Sequence, residues 1–80
     1  MLEEILDRYT DEDILIADGF DDAIIGIDEK SMRLIYSVKK CIKILLKQDM
    51  KLGEATEYFE YNVSGAYMGE KTPIWCYDDF

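Results

Sequence analysis

The chain of 80 residues contains no histidine, and that absence removes more chemistry than any other feature of its composition. Histidine is the commonest general base, the switch nearest physiological pH and a frequent metal ligand. Without it neither a Ser-His nor a Cys-His nucleophile can be assembled. Cysteine is nearly absent: Cys41 and Cys76 are the only two, and they do not form a CxxC pair. No secretory leader stands before Met1-Leu2-Glu3-Glu4. We therefore read both thiols as reduced core residues and expect a cytoplasmic protein. No apolar run approaches the roughly 18–20 residues that cross a bilayer, so a membrane partner is not expected. Cations are scarce, 9 against 18 acids, for a net charge of -9. A phosphate backbone would be repelled by that field, which argues against direct nucleic-acid binding, whereas a basic partner would be attracted and steered. The same charge also suits simple solubility.

What is present describes one small domain spanning residues 1–80. Hydrophobic content of 49% is that of a globular chain. At this length a monomer buries only about 60–65% of its unfolded surface, so a homo-oligomer is a reasonable expectation. Leu2, Ile5, Leu6 and Tyr9 recur at helical spacing and predict a short helix over 2–9. Thr10–Asp13 reads as a connection. Ile14–Ala17 is either a strand or a packed turn, and Asp18–Asp22 is a loop in which Gly19 can take positive φ. Ala23–Ile27 and Met32–Tyr36 are β-branched, apolar runs around the turn Asp28–Ser31, which predicts a hairpin with a bulge or close approach at Gly26. Ser37 is a natural cap for a helix over 38–48, with Val38, Cys41, Ile42, Leu45 and Leu46 inward and Lys39, Lys40, Lys43 and Lys47 outward. Asp49–Gly53 links it to an aromatic helix over 54–64, where Ala55, Phe59 and Val63 share a line. Gly65 and Gly69 shape the following turn. Pro73 biases Thr72 towards extended backbone in a strand over 72–77 that pairs with the hairpin, and either restricts that strand to a sheet edge or stands as its first residue. The end, Asp78–Phe80, is expected to fray. Together these predict an α+β fold: a hairpin and a C-terminal strand in an antiparallel sheet, packed by three short helices.

Charge is uneven. Residues 1–30 carry eleven acids against Arg8 and Lys30, residues 31–53 carry Arg33 and five lysines against Asp49, and residues 54–80 carry six acids against Lys71. Asp11, Asp13, Asp18, Asp21 and Asp22 make up the acidic face expected to meet a basic partner. These carboxylates could also serve a hard cation, but residues 13–24 lack the spacing of an EF-hand loop, and we assign no metal or other cofactor. The lysines of 39–47 follow no glycine-rich phosphate loop and have no interleaved aromatics, so they read as a solvated face. Glu57 and Glu60 read as an exposed edge rather than a catalytic pair. No enzymatic activity is expected.

The informative stretch is Glu57–Trp75, which holds Tyr58, Phe59, Tyr61, Tyr67 and Trp75. Aromatics with polar tips anchor interfaces and stack on ligands. Tyr58, Tyr61, Asn62, Tyr67, Thr72 and Trp75 are the candidate binding residues, for a protein partner or for a small polar ligand. The alternative is that these rings are simply core, or the interface of a homo-oligomer.

The segment Glu-Tyr-Phe-Glu-Tyr-Asn-Val-Ser-Gly-Ala-Tyr-Met-Gly-Glu-Lys-Thr-Pro-Ile-Trp at 57–75 resembles the C-terminal signature of a family of short, uncharacterised phage and prokaryotic proteins. Asp18–Gly26 resembles them too, and the similarity covers residues 18–75. Gly53 departs from the acidic helix start that the resemblance leads one to expect. The resemblance implies phage origin and a site of action in the host cytoplasm; together with the charge and the missing catalytic groups it leads us to expect a phage accessory protein, of counter-defence or host takeover, that binds a host defence or nucleic-acid-handling protein through the acidic face and aromatic segment. It implies no catalytic residues.

Overall fold

The computed structural model describes all 80 residues. Helix α1 (Leu2–Arg8) leads through an irregular segment and a short 3-10 turn (Asp21–Ala23) into strand β1 (Ile24–Asp28). Strand β2 (Arg33–Ser37) runs directly into α2 (Val38–Leu46), followed by α3 (Leu52–Tyr58), a π-helical continuation (Phe59–Ser64) and strand β3 (Ile74–Cys76). The fold is α+β, with β2 central in the order β1-β2-β3.

The β1–β2 hairpin is antiparallel, with the expected irregularity between Ile24 and Gly26. Strand β3 pairs with β2 in parallel, Tyr36 opposite Trp75, so the sheet is mixed rather than wholly antiparallel. The cause is the connection. Two helices separate β2 from β3, and a chain that crosses back over such a layer can re-enter the sheet in its original direction. Pro73 stands immediately before β3, where its missing N–H disturbs no ladder bond.

The core joins Ile5 of α1, Ala17 and Phe20 of the irregular segment, Ile24, Leu34 and Tyr36 of the hairpin, Val38, Cys41 and Leu45 of α2, and Ala55 and Phe59. Ile5, Val38, Cys41, Leu45, Ala55 and Phe59 are inward positions the helical spacing predicts; Leu6 and Leu46 of the same stripes stay partly exposed. Ile14–Ala17 forms no strand. Instead the Ala17 N–H donates to the buried Tyr36 hydroxyl at 2.8 Å, which ties this segment to the sheet. Helix α3 begins at Leu52, before Gly53, because the Glu54 carboxylate accepts from the Lys51 N–H at 3.4 Å and satisfies one orphan donor of the first turn.

The C-terminal end does not fray as a whole. The Ser37 hydroxyl accepts from the Lys40 N–H at 3.1 Å and donates to Asp78 Oδ2 at 2.6 Å, while Asp78 Oδ1 accepts from the Lys39 N–H at 3.1 Å. Asp78 is thus a second cap on α2, and those bonds hold its carboxyl below the usual carboxylate range. Only Tyr77, Asp79 and Phe80 beside it carry no such anchor.

Candidate functional site

The site is a groove of about 290 Å³ walled by Ile16, Ala17, Asp18 and Phe20 on one side and by Tyr58, Asn62, Val63, Ala66 and Met68 on the other, with Trp75 between. Its first wall is held by the Ala17–Tyr36 bond and by the Phe20 N–H donating to the Ala17 carbonyl at 3.3 Å. Gly19, at φ +89, turns the chain between them.

The second wall is built on a π-helical backbone. Phe59, the first residue of this turn, is 1% exposed and meets Trp75 edge to face with ring centres 5.4 Å apart. Gly65 closes this turn. A Cβ there would stand 2.5 Å from the Glu60 carbonyl oxygen, so the backbone packs more closely than a side chain allows. Such turns are uncommon in helices and frequently mark functional sites. Beyond it, Thr72 shapes the turn that carries Met68: its hydroxyl donates to the Gly69 carbonyl at 2.6 Å and accepts from the Met68 N–H at 2.9 Å.

Trp75 is held by two rings and faces the groove. Parallel pairing sets it beside Tyr36, with ring centres 5.1 Å apart, Phe59 also meets it, and it lines the groove. Its Nε1–H is buried and has no acceptor.

Of the sequence-derived binding residues, Tyr58, Asn62 and Trp75 come together in the groove. Tyr61 and Tyr67 do not; at 80% and 81% exposed they project into solvent. Thr72 is occupied in its turn rather than facing a ligand. The acidic residues divide among three places. Asp18 lies in the groove, Asp13 shares a depression with Glu12, Met68 and Lys71, and Asp21 and Asp22 lie beside Glu3 and Glu4 at the start of α1. Asp11 is exposed. No group of three or more Asp, Glu or Cys side chains is gathered closely enough to hold a metal ion.

Reading the sequence missed Ile16, Ala17, Phe20, Val63, Ala66 and Met68 as groove residues. The apolar run Ile14–Ala17, set between two acidic loops, was the available signal for the first wall. The groups whose acidity departs from normal lie outside the groove. Burial pushes the Cys41 thiol up to about 12, which keeps that thiol protonated at neutral pH. No helix is long and apolar enough to cross a membrane. Comparison with protein-family models, with curated proteins and with solved structures finds no match.

Proposed function

We propose that this is a non-enzymatic binding protein that engages a basic protein through the groove with its Asp18 and through the exposed Tyr61 and Tyr67. The observation that carries this reading is the pairing of a built groove with Tyr61 and Tyr67 left 80% and 81% exposed next to it in the chain. Aromatic surface of that extent serves as anchoring area when a partner covers it. Asp18 in the groove and a net charge of -9 favour a cationic partner over an anionic one. The biological setting, a phage accessory protein acting on a host component in the host cytoplasm, rests on the resemblance of residues 18–75 alone.

The test is capture from host lysate at low salt, comparing the native protein with the double variant Tyr61→Ser/Tyr67→Ser. A basic protein retained by the native chain and lost from the variant and at high salt supports the reading. Equal retention by both, or none above background, contradicts it.

One observation favours a second reading, a small-ligand binder: Tyr58, Asn62 and Trp75 line one groove. Aromatic faces and a side-chain amide can stack on and orient a small polar molecule. A thermal-shift screen with nucleotides and other polar metabolites separates the two, since a ligand well above its Kd raises the melting temperature.

A further inference from the structure

We infer that the groove takes a single large apolar side chain from an extended, cationic segment of the partner, with the flanking Lys or Arg meeting Asp18. This rests on the reading of the molecule as a binding protein and adds what the groove selects.

Three features lead to it. The lining is mostly apolar, from Ile16 and Phe20 across to Val63 and Met68, so the part of the occupant that fills it is apolar. Its volume, about 290 Å³, suits one aromatic or long aliphatic side chain and its backbone, not a folded surface. Its charged residue is Asp18, and neither Lys nor Arg lines it. The nearest counter-charges do not compensate: the only ion pair in the molecule joins the N-terminal amine to Glu4 at 3.5 Å, which leaves Asp18 free to meet an incoming cation. An anionic occupant would face Asp18 and the overall field together; a neutral one would gain nothing from either.

Trp75 is the sole tryptophan, so its indole N–H gives one isolated signal in a proton–nitrogen correlation spectrum. The experiment titrates the full chain with three capped pentapeptides, Gly-Lys-Phe-Lys-Gly, Gly-Lys-Ser-Lys-Gly and Gly-Glu-Phe-Glu-Gly. The expected result is that the first moves the Trp75 indole signal together with the amides of Asp18, Asn62, Val63 and Ala66. The serine peptide should bind at least about tenfold more weakly, the size of losing one buried apolar side chain, and the acidic peptide should not bind. Asp18→Asn, an exposed change that leaves packing alone, should weaken the first peptide roughly two- to fivefold. Ala66→Phe, which fills the groove, should abolish it.

Equal response to the lysine and glutamate peptides overturns the inference, as does full binding to Ala66→Phe. Shifts confined to Tyr61 and Tyr67, or to the lysine face of α2, also overturn it while leaving the binding-protein reading standing. Groove binding by the first peptide, together with capture that ignores Tyr61 and Tyr67, leaves the inference standing and removes the tyrosines from the proposed contact.

Discussion

At Ser37 a single hydroxyl both accepts from the first turn of α2 and donates to Asp78, so it joins strand, helix and chain end. Replacing Ser37 with Ala removes the cap and leaves Asp78 without its closest partner. It should cost about 1–2 kcal/mol in urea unfolding. Asp78 itself can be tested by pH. Its folded carboxyl titrates below the ordinary 3.8 because Ser37 and the Lys39 N–H favour the charged form. That stability is therefore present above the unfolded value and lost as pH falls through the folded one. Asp78→Asn should flatten the acid limb of the stability curve below about pH 4 relative to the native chain; an unchanged limb would show that the bond contributes nothing. The buried Tyr36 hydroxyl poses a similar test. Tyr36→Phe keeps the ring between Trp75 and the core but orphans the Ala17 N–H, which should cost about 1–3 kcal/mol and speed amide exchange over residues 16–20.

Among the elements, the π-helical turn is the least ordinary and the most testable. Gly65 has an unstrained helical φ of -78, so Gly→Ala there would normally stabilise by about 0.5–1 kcal/mol. The 2.5 Å approach of its Cβ to the Glu60 carbonyl reverses the sign, because backbone rather than a flexible side chain must move. Gly65→Ala should therefore lower stability by about 1–3 kcal/mol and alter the amides of 59–66; a stabilised variant would mean that the turn relaxes to an ordinary helix without loss. The sequence showed this turn only in part. The hairpin, the Ser37 cap and the inward stripe of α2 are local patterns, and residues such as Ile24, Ser37 and Cys41 announce them within a few positions. The parallel direction of β3 depends on what the intervening helices do, and Trp75 finds Tyr36 from far along the chain. The π turn escaped notice because Ala55, Phe59 and Val63 fit ordinary helical spacing equally well. The groove escaped for another reason: Ala17, Val63, Met68 and Trp75 come from separate segments that only the folded chain brings together.

For the whole molecule, the governing fact is an acidic chain with a lysine-rich middle helix and almost no internal ion pairing. Its charges are free to act on other molecules, and exposed charges act through a screening length of about 8–10 Å at physiological salt. Partner binding should accordingly weaken as salt rises, with most of the change in the association rate. Thr72 and Gly69 shape the turn beside the groove and Asp78 holds the chain end, and the proposed role of the molecule is to hold another. Hydrogen exchange with and without the captured partner tests this most directly. Protection should fall on residues 16–20 and 58–68, the two walls of the groove; protection confined to the lysine face over residues 38–48, with both walls unchanged, would contradict it.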